Sequence, residues 1–189
     1  MGVSLAPAAR NMLDPTARAE LVAQAKAGDR NAFDELVGPL IESAFRLAFG
    51  MLHDREAAED AVQEAAFRAW RSLRNLRPGT EMRPWFFAIV ANQCRSTVRH
   101  RWWKVLRLDG QGGAAQSVED PVVRGADLRR AIRQLNRDQR LALVLHFYLD
   151  LSLEEVAAIA RVPVGTVKSR IHRAVAQLRP QLDVEEVFG

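Results

Sequence analysis

Ser152-Leu-Glu-Glu-Val-Ala-Ala-Ile-Ala-Arg-Val-Pro-Val-Gly-Thr-Val-Lys-Ser-Arg-Ile-His-Arg-Ala-Val-Ala-Gln-Leu178 spells two short helices joined by a tight turn. Ser152 and Glu155, three residues on, form a capping box that satisfies free backbone donors at a helix start. Leu153, Val156, Ala157 and Ala160 then share one face at helical spacing. Arg161-Val162-Pro163 ends this helix, because the residue before a proline is pushed out of the helical region. Gly165 and Thr166 open the second helix, whose inward stripe is Val167, Ile171, Ala174 or Val175, and Leu178. Its outer side carries Lys168 with His172 and Ser169 with Arg173 as i,i+4 pairs. Held on a helical support, such a helix fits a DNA major groove. Spacing alone also fits an ordinary helical hairpin with a solvated basic face.

The rest of the chain is helical in pattern too, with no convincing strand alternation. Helices are predicted at about 17–27, 31–52, 55–73, 84–104, 124–135, 138–150, 153–160 and 165–179. Gly28-Asp29 and His53-Asp54 separate the first three, and Pro84 is a favoured first helical residue. Between Leu106 and Pro121 the sequence turns small, polar and glycine-rich, as a linker does. The expected fold is all-α: a loose leader over 1–16, a helical bundle over 17–104, a flexible linker over 105–122, a helix-turn-helix module over 123–182 and a tail over 183–189.

At 189 residues, with 48% apolar and 26% charged residues, the chain suits a packed soluble protein. No apolar run approaches the ~20 residues that span a bilayer, and the N-terminus lacks the pattern of a signal peptide. Cys94 is the only cysteine, so no intrachain disulfide forms, and the reducing cytoplasm is the expected compartment. The four histidines are scattered, so no metal site or cofactor is expected.

The net charge of +4 is modest, but its distribution is uneven. From Arg83 to Arg107 there are six Arg or Lys residues and no acid, whereas Asp54 to Glu64 holds five acids against Arg55 alone. In the basic segment Phe87, Val90, Cys94 and Val98 form an inward stripe, while Asn92, Arg95 and Arg99 line another face. Trp102 and Trp103 sit near its end, and the loop Arg74 to Arg83, with Asn75 and Arg77, precedes it. Basic residues serve phosphates, whereas aromatics and amides serve unstacked bases, so this combination suits a strand pulled from the duplex. Tryptophans packed on the core beside solvated arginines would give the same pattern. In the acidic segment Asp60, Gln63 and Glu64 share a helix face, a docking ridge for a basic partner. Acid clusters also bind metals in nucleases, but no histidine or further carboxylate at ligand spacing completes such a site here.

Three pieces, in this order and spacing, resemble bacterial sigma factors of the extracytoplasmic-function (ECF) type in the sigma-70 family. They are Asp60-Ala-Val-Gln-Glu-Ala-Ala-Phe-Arg-Ala-Trp70, Pro84-Trp-Phe-Phe-Ala-Ile-Val-Ala-Asn-Gln-Cys-Arg95, and Pro163-Val-Gly-Thr-Val-Lys-Ser-Arg-Ile-His-Arg173. The resemblance spans about Leu21 to Leu178 and implies a promoter-specificity subunit, not an enzyme, that directs RNA polymerase core to −35 and −10 elements. It implies that Asp60, Gln63 and Glu64 dock on the β′ clamp helices, and that the β flap is a further contact. Asn75, Arg77, Trp85, Asn92, Arg95 and Arg99 would open the −10 element and hold its single strand. Lys168, Ser169, His172 and Arg173 would read the duplex −35 element, with Thr166 and Arg170 on phosphates or in packing. An anti-sigma factor is an implied partner. Ser96 stands where the family commonly has Asp, and the basic run ends in Trp102-Trp103 where several arginines are usual. The alternative is a stand-alone helix-turn-helix regulator, which leaves the Asp60 face and the Trp-rich basic helix without a role.

Overall fold

The computed structural model describes residues 14–107 and 126–179, and among these every regular element is a helix. The leader up to residue 13, most of the expected linker, and the tail lie outside the described residues. The helices are α1 Pro15–Ala27, α2 Arg30–Val37, α3 Ile41–Leu52, α4 Arg55–Ser72, α5 Met82–Arg107, α6 Ala126–Gln134, α7 Arg137–Leu143, α8 Leu153–Ala160 and α9 Val164–Leu178.

Local chemistry sets most of the boundaries. Gly28 closes α1 at φ 107°, and the Asp29 carboxylate accepts from the Asn31 and Ala32 amides to start α2. His53 closes α3 in the left-handed conformation, and Asp54 caps α4 by accepting from the Ala57 amide at 2.9 Å. The single helix predicted over 31–52 is divided by a 3-10 turn, Gly38–Leu40. Pro39 is the cause: it has no N–H to give the helix. Helix α5 starts at Met82, two residues before the expected Pro84, which sits in the first turn where a missing N–H costs nothing. It continues to Arg107, past the predicted linker start at 105. The helix expected over 138–150 ends as α7 at Leu143 and widens into a π turn, Val144–Tyr148, which leaves Leu149 and Leu151 buried.

Helices α1 to α5 bury Leu36, Leu47, Leu73, Phe86, Phe87 and Val90, with Phe33 edge-to-face on Trp70 at 5.2 Å. Leu141, Leu145, Leu149, Val156, Ile159 and Val167, from beyond the linker, belong to the same continuous core. Helix α6 rests separately on α9 through Ala131, Leu135, Ala174 and Leu178. The two helical groups are therefore packed against each other.

Candidate nucleic-acid interface

Helices α8 and α9 carry the turn predicted from their sequence. The Glu155 amide donates to Ser152 Oγ at 3.1 Å, and the Ser152 amide donates to the Glu155 carboxylate at 2.7 Å. Arg161 ends α8 in the left-handed conformation, and Pro163 precedes α9. Val167, Ala174 and Leu178 face inward, while Val175 is the exposed member of its pair of alternatives. Ile159, absent from the predicted stripe of α8, is also buried. Lys168, His172 and Arg173 stand exposed on the outer face of α9. Thr166, Ser169 and Arg170 are half-buried. The Ser169 hydroxyl donates to the Thr166 carbonyl at 2.9 Å, and Arg170 is ion-paired with Asp138 of α7.

The candidates in the first helical group fall into two places. Asn75 and Arg77 are exposed in the loop before α5, where Pro78 and Gly79 (φ 75°) turn the chain. Helix α1 braces that loop: Lys26 Nζ donates to the Leu76 carbonyl and Arg18 pairs with Glu81. Trp85 is half-buried against the core. Asn92, Arg95 and Arg99 lie about two to four turns further along α5. The Asn92 amide oxygen accepts from Arg95 Nη1 at 3.0 Å. Burial lowers the Arg95 pKa; Asp138 opposes that shift, and Arg161 and Arg170 add to it. Arg95 and Arg99 face a cavity of about 410 Å³ whose other wall is Arg137, Asp138 and Leu141 of α7.

The acidic ridge lies on α4, beside α5. Asp60 and Gln63 are exposed, and Glu64 accepts from Arg68 Nε at 2.7 Å. They line an open groove of about 770 Å³ together with Phe67, Gln93 and Thr97. Phe67 is 54% exposed and lies under the Arg71 guanidinium. Sequence reasoning passed over it, although it follows Gln63 by four residues and Glu64 by three and so shares their face. Among the described residues no group of three or more His, Cys, Asp or Glu side chains is placed to hold a metal ion. No described helix is long and apolar enough to cross a membrane.

The sequence-family description "Sigma-70 region 2" matches residues 36–104, and "Sigma-70, region 4" matches residues 126–178. The chain is 34% identical to the ECF RNA polymerase sigma factor SigE of Mycolicibacterium smegmatis over 89% of its own length and 68% of the relative's. It is 32% identical to the RNA polymerase sigma-H factor of Pseudomonas aeruginosa, covering 82% of this chain and 88% of the relative. The chain belongs to the ECF sigma factors of the sigma-70 family. Its function follows: it is a sigma subunit, the part of bacterial RNA polymerase that selects promoters. Two solved structures share the fold. The sigma factor RpoE of Bartonella quintana, in complex with the anti-sigma factor NepR, superposes with a TM-score of 0.73 at 29% identity, over 81% of this sigma factor and 98% of that chain. CnrH, in complex with the cytosolic domain of CnrY, gives 0.68 at 27% identity over 89% and 98%.

Proposed function

We propose that residues 17–104 form the polymerase-binding and −10-reading module of this sigma factor, and residues 123–182 the −35-reading module, with 105–122 as the linker between them. Asp60 and Gln63, with Glu64 shared with Arg68, dock on the β′ clamp helices, and the second module meets the β flap. Lys168, His172 and Arg173 read base edges in the −35 major groove, where each good contact is worth ~1–3 kcal/mol of discrimination. Ser169 lies beside them, and Thr166 and Arg170 support the helix or touch phosphate. Asn75, Arg77, Trp85, Asn92, Arg95 and Arg99 hold the displaced −10 strand.

The observation that carries this reading is the exposure of two opposite chemistries on two rigid helices. Acidic Asp60 lies on α4, and basic Lys168 and Arg173 lie on α9. A stand-alone regulator would use only the second. The sigma factor leaves the chemistry of RNA synthesis to the polymerase and works where the polymerase is, in the cytoplasm. An anti-sigma factor is its expected inhibitor, as NepR is named with RpoE. In vitro transcription with polymerase core on fragmented genomic DNA, followed by start-site mapping, tests the function. Transcripts sharing −35 and −10 sequences support it, and none above core alone would sink it.

A further inference from the structure

Arginines recur at every third residue from the docking ridge to the loop before α5: Arg68, Arg71, Arg74 and Arg77. From Ala65 to Thr80 no Asp or Glu accompanies them. Arg68 is held by Glu64 at 2.7 Å and so closes off the acidic ridge. Arg71, in the last turn of α4, is exposed and lies over Phe67 at 5.6 Å. Arg74 is exposed in the 3-10 turn Leu73–Asn75 that carries α4 into the loop. Residues three apart nearly eclipse in such a turn, so Arg71 and Arg74 fall on one side, about 5–6 Å apart along the axis. Among the described residues the Arg74 and Arg77 guanidinium groups have no hydrogen bond or ion pair. Carboxylates near the strip are already engaged. Arg74 Nη2 lies 4.0 Å from where a Gly28 β-carbon would stand, but the neighbouring Asp29 carboxylate accepts from the Asn31 and Ala32 amides. Glu81 pairs with Arg18, and Lys26 adds a further positive charge at the Leu76 carbonyl.

We propose that Arg71 and Arg74 bind phosphates of the displaced strand just past the −10 element, on the side of the transcription start. This rests on the assignment of Asn75 and Arg77 to the −10 strand. Exposed cations on a rigid helix end, continuous with a loop that holds unstacked bases, suit the backbone of a single strand. Chain order sets which part of the strand they meet. Helix α5 runs from the loop to Arg107, and the segment after it leads to the −35-reading module. The Arg95 and Arg99 end of α5 therefore faces the −35 side, and the loop lies at the other end. Arg74 and then Arg71 continue from that loop, away from α5. Phosphate contacts carry no base information, so this strip would hold the opened strand whatever sequence follows the −10 element.

The test uses the full-length chain assembled with polymerase core, on a promoter recovered by start-site mapping. Two forked probes share its duplex −35 region and single-stranded −10 element. The long probe continues as a single strand to the start site, and the short one stops at the edge of the −10 element. Arg71→Ala with Arg74→Ala should weaken binding of the long probe about fivefold to tenfold at near-physiological salt and leave the short one unchanged. On the long probe the slope of log affinity against log salt should become shallower by about 1.4, or ~0.7 for each of two phosphates. Arg71→Lys with Arg74→Lys keeps the charge and should restore the slope. Equal losses on both probes or an unchanged slope overturns the proposal. So does a fall in core binding by gel filtration, which would make the strip a docking surface for an acidic protein segment. Asn75→Ala with Arg77→Ala tests the underlying assignment separately and should weaken both probes. If it weakens neither, the −10 assignment fails, while the two probes still report whether Arg71 and Arg74 meet phosphate. Fragmented DNA that yields no start site removes the assignment and the proposal together.

Discussion

Arg170, on the helix that carries the exposed basic face, is paired with Asp138 of α7. That contact turns a nominal DNA-reading arginine into a strut between helices, while Lys168, two residues before it, and Arg173, three after it, stand exposed to reach a groove. Arg170→Ala is expected to lower stability by about 0.5–1 kcal/mol, the range for a partly exposed ion pair. Lys168→Ala and Arg173→Ala should leave the urea midpoint unchanged and cut affinity for −35 duplex. A stability loss from Arg173→Ala equal to that from Arg170→Ala would erase the distinction.

Asp60 and Gln63 form the second separable surface. Among the described residues neither has a hydrogen bond that would compete with a partner, whereas the Glu64 carboxylate is already engaged by Arg68. The double change Asp60→Ala with Gln63→Ala should weaken polymerase-core binding by about tenfold to a hundredfold, or ~1.4–3 kcal/mol, with an unchanged helical circular-dichroism signal. Glu64→Gln should cost less. Phe67→Ala should also weaken core binding, since this exposed ring is the apolar part of the same groove. Gel filtration or surface-plasmon measurement with core enzyme decides among these, and full-strength binding by the double variant would contradict the docking assignment.

Arg140 is the buried keystone of the α6–α7 corner. Its Nε donates to the Ile132 carbonyl at 3.0 Å, and one Nη donates to the carbonyls of Arg133 and Leu135, both at 2.8 Å. The Ile132 carbonyl also accepts from the Leu135 amide at 3.2 Å, but those of Arg133 and Leu135 are left without helical partners at the end of α6. Arg140→Met keeps the volume but strands them. A destabilisation of about 3 kcal/mol is expected, from the cost of leaving buried acceptors unpaired, with a fall in melting temperature of about 8 °C. A drop under about 2 °C would show that water replaces the guanidinium.

What could be read from the sequence was whatever is local. The Ser152–Glu155 box, the Gly28-Asp29 and His53-Asp54 breaks and the outward placement of Lys168, His172 and Arg173 all depend on residues within a turn or two of one another. Pro39 was legible in principle, since a proline inside a predicted helix breaks it. The π turn at Val144–Tyr148 had no signal in hydrophobic spacing, because it depends on Leu149 and Leu151 finding a core built by other helices. The seam between the two helical groups was equally hidden. Arg83 meets the Leu149 carbonyl across 66 residues and Arg46 meets Tyr148 across 102. Nothing in the neighbourhood of either arginine announces such a partner. The same holds for Arg95, whose spacing placed it on a polar face without showing that α7 stands in front of it.

His53 makes the packing of the two helical groups sensitive to acid. It ends α3 in the left-handed conformation, its Nε2 is buried with no hydrogen-bond partner among the described residues, and Arg140 and Arg133 of the second group lie near it. Burial, with those two arginines adding to it, lowers its pKa from 6.5 to about 4. The unfolded chain therefore binds a proton on His53 between these values while the folded chain does not. Stability is complete above pH 6.5 and declines as the pH falls toward 4. Between pH 7 and pH 5 the loss from this group should be about 1 kcal/mol once solvent screening is allowed for. Asparagine tolerates the left-handed conformation and does not titrate, so His53→Asn isolates the proton from the backbone. The urea midpoint of the unmodified chain should drop over this range and that of His53→Asn should stay nearly level. Parallel pH profiles for the two proteins would mean that the His53 imidazole is solvated when the helical groups pack and takes up its proton in the folded and unfolded chain alike.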